Sequence, residues 1–467
     1  MKKIIKKHIS SIITIVYCII FYFIFTNIAK YHEAWADEAQ AWLIAKNTTF
    51  FGLIDAMKYE GSPFLWHLIL KVVIACGLSY ENLYYIPLFF TIIGIIFLFK
   101  NKKVPWVFKL ILPFTYFIFF QYTVVARSYC LLFPLLMMIA YIYDEKEDKL
   151  VIYAILLTLL MNVSLHGAVI AGGLWLEFIY NVFKKYNKNQ RITKNEIAFI
   201  SIMFILFIIL LILIFPKTDC TYNPPIRYNF FELFGEITYT SDDNLVLNIV
   251  ATFFFIVILL STVNEENCFR TNMIFGLVAL LNIAIICSPW HLGTLYLTVL
   301  FLLIINDSFK KKKIYILFLI SVIIQIYWTC ASVQHDIYYK YSSGKEVSEY
   351  LKTIDYKNKK ISAVGFHCVS INPYFEENIF DNYTYAFYEW SKDEKEKTNT
   401  EFVLKDLQEN NTDIYIIPDY FETESIDKIK DILEKMGYTK KGFNSFMIVK
   451  DYLFEKTGFY VFEKIGE

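Results

Sequence analysis

The chain has 467 residues, of which 56% are hydrophobic, and its mean hydropathy is +0.43. This composition excludes a single water-soluble domain and is typical of an α-helical polytopic membrane protein. The formal net charge is zero, and the sequence has none of the basic patterns typical of nucleic-acid binding, so we expect no nucleic acid partner.

The chain begins with the basic segment MKKIIKKH, which precedes the apolar run 9–29. This run is long enough to span a bilayer, and no small-residue cleavage site of a signal peptide follows it. We therefore expect a retained first helix with a cytoplasmic amino terminus. Two later basic clusters, at 184–194 and 310–313, are expected on the same side, where short basic loops concentrate.

Ten apolar runs lie between residues 9 and 332, and each crossing of a bilayer needs about 20 residues. They cover 9–29, 63–79, 83–99, 106–143, 151–183, 197–215, 245–262, 272–288, 294–306 and 314–332. The fourth and the fifth are too long for one straight helix. If one of these two is a hairpin and the other a broken single pass, the total is about eleven spans; the sequence leaves open which is the hairpin.

This parity places all three basic clusters inside and residues 30–62 outside, as the first external loop. It also places outside a loop with Lys100, Lys102 and Lys103, which Lys109 follows. Either this loop is a tolerated exception to the positive-inside rule, or the count of spans is wrong near it.

Two domains are expected, a membrane domain over 1–332 and an external soluble α/β domain over 333–467. In the second part, strand-like segments such as ISAVGF and DIYIIP alternate with helix-like segments such as TEFVLKDLQEN. Such alternation is typical of a small α/β domain.

Acidic residues follow the first span closely. Asp37 and Glu38 are expected at the depth of lipid head groups, where a lipid-borne phosphate lies, although acids at the start of a surface helix are the plainer alternative. Glu60 precedes Gly61-Ser62-Pro63, and the proline can open the second span. Two carboxylates at one membrane mouth can divide the work between a base and a ligand for Mg²⁺ or Mn²⁺, or between a base and an acceptor for a sugar hydroxyl. Asp37 and Glu60 are therefore the candidate metal ligands, although Glu60 alone can also be a solvated acid that caps a helix start.

Other polar residues interrupt apolar runs or follow them. Arg127 is a candidate phosphate ligand, or it forms a buried ion pair with a first-loop carboxylate, or it marks a helix end at the surface. His166 is either a structural or a cavity-lining histidine, and His291, beside Trp290, either contacts a sugar or anchors the chain at the interface. Arg227, in the second external loop, is a weaker phosphate candidate.

The order of these features resembles a known family. An Asp-Glu pair after the first span, surface helices, and then an acid before Gly-x-Pro-aromatic are similar to the GT-C glycosyltransferases. This class includes the protein O-mannosyltransferases and the lipid A aminoarabinose transferases, and the chain especially resembles bacterial relatives with an RgtA/B/C/D-like domain. The resemblance is strongest over residues 1–180. The family's usual Pro-Pro pair is Ser62-Pro63 here.

The resemblance implies roles for several residues. Asp37 corresponds to the catalytic base, Glu38 and Glu60 to supporting acidic residues, and the family's Arg-x-Tyr to Arg127 and Tyr129. It further implies a GT-C fold and transfer of a sugar from a polyprenyl phosphate to a hydroxyl of a glycan, lipid or protein acceptor. The transfer would modify cell-envelope glycans or glycoconjugates on the external face of the bacterial plasma membrane.

Two other classes of function remain open. A flippase or transporter of lipid-linked sugars would be expected to show two related halves, and no convincing internal repeat occurs. A polysaccharide polymerase or ligase would be expected to place its chemistry in large mid-chain external loops, whereas the acidic cluster here lies in the first loop. No GxxxxGK[ST] or GxGxxG motif is present, which fits a sugar donor already carried by lipid.

Overall fold

The structure, a computed structural model, describes residues 2–222, 245–260, 262–264, 267–285, 288–409, 412–419, 424–449 and 453–464. A bundle of apolar helices comes first in the chain, and a smaller domain with a mixed sheet follows it. The composition predicts a helical membrane protein, and the long apolar helices support this class of protein.

The bundle is helical because a chain in a bilayer must satisfy its backbone N–H and C=O groups internally. Its described helices are α1 (Lys2–Ala29), α2 (Ala36–Asn47), α3 (Phe50–Glu60), α4 (Leu65–Ala75), α5 (Tyr85–Lys100), α6 (Trp106–Val124), α7 (Ser128–Glu145), α8 (Leu150–Met161), α9 (Leu165–Asn187), α10 (Lys194–Ile214), α11 (Leu245–Leu260), α12 (Cys268–Ala284), α13 (Leu292–Ile305) and α14 (Lys312–Tyr338). Among the described residues, seven helices are long and apolar enough to cross a membrane: α1, α5 with the turn before it, α6, α7, α9, α10 and α14. The shorter apolar helices are α4, α8, α11, α12 and α13.

Both of the long apolar runs are divided into two helices. The run 106–143 breaks after Val124, where Val125 and Arg127 have extended backbone, and the run 151–183 breaks at residues 162–164. The second break ends at Ser164, whose hydroxyl accepts the N–H of Gly167 and caps α9. The sequence leaves open which of the two runs is a hairpin; in the structure the first run gives two helices that are long enough to span, and the second gives a shorter helix followed by a long one.

The apolar run 63–79 forms only the 11-residue helix α4. At 1.5 Å per residue this helix is about 16 Å long, roughly half the thickness of the hydrocarbon core. Lys71 of α4 donates to the carbonyl oxygen of Ala45 at 2.8 Å, and Tyr80, beyond its carboxyl end, packs on Trp42 with the ring centroids 5.5 Å apart. Helix α4 and the turn that follows the run therefore lie against α2.

Several turns between helices lie together at one end of the bundle, and charged side chains connect them. We call this end the lower end. Lys103, between α5 and α6, pairs with Asp144 at 2.7 Å, and Lys185 pairs with Glu147 at 2.5 Å. Arg270 in the first turn of α12 donates to Asn306 at 2.8 Å. The opposite, upper end carries α2, α3 and α4 together with the carboxyl-terminal domain.

The carboxyl-terminal domain follows α14, which runs to Tyr338 and so past the expected boundary at residue 332. Its elements are α15 (Gly344–Thr353), β1 (Ile361–Ala363), α16 (Lys392–Lys397), α17 (Thr400–Glu409), β2 (Ile414–Pro418), α18 (Glu424–Lys435), β3 (Tyr438–Phe443), β4 (Phe446–Val449), β5 (Leu453–Lys456) and β6 (Phe459–Lys464). The sheet order is β1-β2-β6-β3, with β1 and β2 parallel and the other pairs antiparallel, and β4 and β5 form a separate hairpin.

Strand β2 is buried on both faces, which explains its unbroken apolar sequence IYIIP. Its side chains alternate between two cores: Tyr415 and Ile417 pack with residues of α17 and α18, whereas Ile414 and Ile416 join the large core shared with the helical bundle. The sheet therefore packs against the upper end of the bundle instead of standing apart from it.

Candidate functional site

A cavity of about 790 Å³ lies between the upper end of the helical bundle and the carboxyl-terminal domain. It brings together six residues that the sequence singles out: Asp37, Glu60, Arg127, Tyr129, His166 and His291. The other two residues that the sequence singles out are not among the described residues that line this cavity. Glu38 lines a different, smaller cavity, and Arg227 lies outside the described residues.

Five described helices begin at the cavity wall, namely α2, α4, α7, α9 and α13. Each helix start carries a partial positive charge and backbone N–H groups that have no partner within the helix. The breaks in the two long apolar runs create two of these starts, at Ser128 and Leu165. Converging helix starts make the cavity favourable for an anion such as phosphate.

Asp37 and Arg127 form an ion pair inside the cavity. The distance from Nη2 of Arg127 to Oδ2 of Asp37 is 2.6 Å, and the two side chains are only 16% and 23% exposed. The guanidinium also lies over the rings of Trp290 and Tyr129, 4.8 and 5.6 Å from their centroids. Among the described residues its Nη1 group has no hydrogen-bond acceptor. This arginine is therefore fixed in place while part of its donor capacity is unused.

Glu60 reaches the cavity because α3 ends beside it. Gly61 adopts φ +59°, a left-handed conformation that ends the helix and that a residue with a Cβ adopts only with strain. Burial raises the pKa of the Glu60 carboxyl to about 7; the hydrogen bond from Gln40 opposes this rise, and the negative charge of Asp37 adds to it. The two carboxyls of the cavity thus have different environments, one beside a guanidinium and the other titrating near neutral pH.

Gln40 connects Glu60 to the carboxyl-terminal domain. Its Nε2 donates to Oε1 of Glu60 at 2.7 Å and to the carbonyl oxygen of Tyr388 at 2.6 Å, and its Oε1 accepts the N–H of Tyr388 at 2.9 Å. The side chain is buried and uses both of its polar atoms. Its role is not predicted from the sequence, because nothing in the local pattern brings residue 388 close to residue 40.

His166 and His291 lie face to face on the cavity wall, with ring centroids 4.6 Å apart and planes 28° apart. Nδ1 of His291 accepts the N–H of Ser288 at 2.9 Å, so this nitrogen carries no proton. Asn282 donates through Nδ2 to the carbonyl oxygen of Val278, which leaves its Oδ1 to accept from Nε2 of His166 at 3.3 Å. Nδ1 of His291 is therefore held as an acceptor and Nε2 of His166 as a donor.

The carboxyl-terminal domain supplies the opposite wall of the cavity, through Val364, Gly365, Phe366, His367, Tyr388, Trp390, Lys395 and Pro418. The segment after α10 joins this wall, since the N–H of Thr221 donates to the carbonyl oxygen of Trp390 at 2.7 Å. Burial lowers the pKa of His367 to about 4, so the imidazole is neutral. Large aromatic side chains with a few polar groups among them are typical of ligand pockets.

Glu38 points away from the cavity although it neighbours Asp37. Successive residues of an α-helix point about 100° apart, so the two carboxylates face different sides of α2. Oε2 of Glu38 accepts the N–H of Trp35 at 3.1 Å, which caps the start of the helix. Glu38 therefore caps a helix start, which is the plainer alternative for the acidic pair. Asp37 forms the ion pair with Arg127, which is one of the alternatives predicted for that arginine.

Asp37 and Glu60, the candidate metal ligands, share the cavity, but the described residues contain no group of three or more His, Cys, Asp and Glu side chains that could hold a metal ion. A divalent cation at these two carboxylates would therefore need further oxygen ligands from a substrate or from water.

Comparison of the chain with protein-family models, with curated proteins and with solved structures gave no match. The geometry and chemistry of the cavity are therefore what connects this chain to a function.

Proposed function

We propose that the protein is a membrane glycosyltransferase of GT-C type that moves a sugar from a polyprenyl phosphate to an acceptor hydroxyl. The observation that carries this proposal is the convergence of five helix starts and Arg127 on one cavity that also holds Asp37 and Glu60. Positive groups of this kind bind a phosphate, and a carboxylate beside them can serve as a base. The pairing of these two functions in one cavity suits transfer from a lipid phosphate.

In the proposed reaction the acceptor hydroxyl gives its proton to Asp37 while its oxygen attacks the anomeric carbon of the donor. The bond from that carbon to the phosphate oxygen breaks, and the electron pair leaves with the polyprenyl phosphate. Arg127 and the helix starts stabilise the negative charge that develops on the leaving phosphate. The product is the glycosylated acceptor.

The ion pair between Asp37 and Arg127 gives this mechanism an order of events. Without donor, the guanidinium 2.6 Å from Asp37 stabilises the ionised carboxylate and so weakens it as a base. A donor phosphate competes for the same guanidinium, which binds phosphate oxygens well. Asp37 is therefore a stronger base when a donor is bound than when the guanidinium pairs with it.

Glu60, His166 and His291, in this proposal, contact the sugar and the acceptor. A carboxyl with a pKa near 7 can accept a hydrogen bond from a sugar hydroxyl or exchange a proton at neutral pH. His166 and His291 lie on the same wall and offer ring nitrogens for hydrogen bonds. The carboxyl-terminal domain, which forms the opposite wall, is proposed to select the acceptor.

The contacts at the two ends of the bundle support an eleven-span topology. In this proposal α1 and α5 to α14 cross the membrane, and α2, α3 and α4 remain at the external surface. Counting from a cytoplasmic amino terminus, the turn with Lys100, Lys102 and Lys103 then lies inside, together with the other basic turns. In this proposal the run 63–79 does not cross the membrane, so the exception in the sequence-based count disappears. The cavity and the carboxyl-terminal domain face outward, as expected for an enzyme of the bacterial plasma membrane.

A divalent cation, Mg²⁺ or Mn²⁺, would be held by Asp37 and Glu60 with oxygen atoms of the substrate. It would supply positive charge at the leaving phosphate, which Arg127 also supplies. Treatment with EDTA tests this part of the proposal: a loss of transfer that Mg²⁺ or Mn²⁺ restores supports the cation, and unchanged transfer assigns the charge to Arg127 and the helix starts alone.

The proposed function is tested with purified protein in liposomes that contain a radiolabelled polyprenyl-phosphate sugar and a mixture of glycan, lipid and peptide acceptors. Labelled acceptor that depends on Arg127 and Asp37 is the expected result. Movement of the labelled lipid between leaflets without any product would identify a flippase and contradict the proposal.

A further inference from the structure

Three buried ionisable side chains form a chain of contacts outside the cavity. Nδ1 of His32 lies 2.9 Å from Oδ2 of Asp336, and Nε2 of His32 lies 3.2 Å from Oε2 of Glu38. The side chains of His32, Glu38 and Asp336 are only 5%, 1% and 1% exposed. We call these three residues the His32 triad. Buried charges persist in proteins only when they are paired, so the contacts are required for this arrangement to exist.

The His32 ring is an imidazolium in this arrangement. Each of its nitrogens faces an oxygen of a carboxylate, and ionised carboxylates only accept hydrogen bonds, so both nitrogens carry protons. Burial lowers the pKa of His32, but the charges of Glu38 and Asp336 and their hydrogen bonds outweigh it and raise the pKa to about 10. The triad therefore places a positively charged ring between two carboxyl groups.

The other carboxylate oxygen of Glu38 reaches the residue next to Arg127. Oε1 of Glu38 accepts the N–H of Ala126 at 2.7 Å. This N–H lies in the break between α6 and α7, where the backbone leaves the helix and an N–H group has no helical acceptor. Glu38 therefore stabilises the extended backbone from which the Arg127 side chain projects into the cavity.

The far end of the triad belongs to the helix that leads into the carboxyl-terminal domain. Asp336 lies in the last turn of α14, and the buried ring of Tyr341 packs on His32 with the ring centroids 4.6 Å apart. The contacts thus run from the start of the carboxyl-terminal domain through the triad to the break that carries Arg127.

We propose that His32, Glu38 and Asp336 are positioning residues that hold Arg127 at the phosphate site and link it to the carboxyl-terminal domain. This inference rests on the proposed function, in which Arg127 binds the phosphate of the donor. None of the three residues touches the substrate. Their effect on transfer passes through the position of one guanidinium.

The first experiment measures binding of polyprenyl phosphate, without sugar, to the full-length protein in liposomes. Glu38→Ala removes the acceptor for the Ala126 N–H and is expected to weaken binding about tenfold or more, as for other groups that orient a ligand. In the Arg127→Ala background the same substitution is expected to have no further effect, since the two changes act on one interaction. Glu33→Gln, a change at a nearby acid outside the triad, is the matched control and should bind as the wild type does.

If Glu38→Ala weakens binding equally in the wild-type protein and in the Arg127→Ala variant, the inference is overturned, because Glu38 would then act independently of the arginine. If Glu38→Ala does not fold, His32→Gln replaces it, and normal binding by His32→Gln would also overturn the inference. Glu38→Gln, which keeps an oxygen for the Ala126 N–H, is expected to recover part of the affinity.

A second readout separates this inference from the proposed function. Phenylglyoxal modifies accessible arginines, and mass spectrometry reports the rate at Arg127 without any substrate. Faster modification of Arg127 in Glu38→Ala than in Glu33→Gln is expected, and equal rates would overturn the positioning role. If the wild type does not bind polyprenyl phosphate, the proposed function fails, whereas the labelling rates still decide the role of the triad.

Discussion

Replacing Asp37 with asparagine changes one carboxylate oxygen in the cavity to an amide nitrogen and keeps the size of the side chain. The loss of a general base typically lowers a rate by about 10²–10⁴-fold, which corresponds to about 3–5 kcal/mol of transition-state stabilisation. We therefore predict that Asp37→Asn transfers sugar at less than about 1% of the wild-type rate.

The effect on stability is expected to be smaller. Exposed ion pairs contribute about 0–1 kcal/mol and the loss of one partner of a buried pair costs about 3–5 kcal/mol. The Asp37 and Arg127 side chains are 23% and 16% exposed, between these cases, and asparagine still offers an oxygen to the guanidinium. A loss of about 1–3 kcal/mol is therefore expected, so the variant should insert and fold.

Initial rates of sugar transfer in liposomes and thermal unfolding of the same samples measure the two quantities. Asp55→Asn is the matched control, because Asp55 lies in the same segment between α1 and α4, pairs with Lys217 at 2.6 Å and is 54% exposed. This control should keep its activity and lose no more than about 1 kcal/mol. Transfer by Asp37→Asn at a rate near that of the control would refute the assignment of Asp37 as the base.

Three further predictions concern the walls of the cavity. The pKa of Glu60 is raised to about 7 in the folded protein, so between about pH 4.5 and 7 the folded state keeps a proton that the unfolded state has lost. The free energy of unfolding should therefore fall as the pH rises through this range, by up to about 3 kcal/mol. In thermal unfolding, Glu60→Gln should lack this part of the fall. Gln40→Ala removes three hydrogen bonds that involve Glu60 and Tyr388 and should destabilise the protein by about 2–3 kcal/mol in denaturant unfolding, whereas an unchanged midpoint would show that the bridge contributes little. Gly61→Ala meets no close neighbour but needs φ +59°, so we expect a loss of about 1 kcal/mol from backbone strain alone, and a gain in stability would contradict the left-handed end of α3.

Part of the site is predictable because charge beside apolar sequence is costly unless it has a partner or a role. Asp37, Glu60, Arg127, His166 and His291 all interrupt or border apolar runs, and the structure places all of them in one cavity. The direction of a side chain is harder to predict. Glu38 follows Asp37 in the same helix turn, and only the helix geometry decides which of the two faces the cavity.

The remaining differences between the sequence-based predictions and the structure arise from the lengths of helices and from long-range contacts. The run 63–79 is apolar enough for a span, but Pro63 opens it and α4 ends after 11 residues. The carboxyl-terminal wall of the cavity is not predictable from local patterns, because residues 364–367 and 388–395 meet α2 only after the whole chain has folded. Gln40 and Trp390 carry no signal in the sequence that separates them from ordinary polar and aromatic residues.

The central claim, that this cavity binds the phosphate of a lipid-linked sugar for transfer, is tested most directly by an electron cryomicroscopy structure with a bound polyprenyl-phosphate sugar. We predict phosphate density within hydrogen-bonding distance of Arg127, among the starts of α2, α4, α7, α9 and α13, with the anomeric carbon facing Asp37. A phosphate bound outside this cavity, with the ion pair between Asp37 and Arg127 unchanged, would contradict the claim.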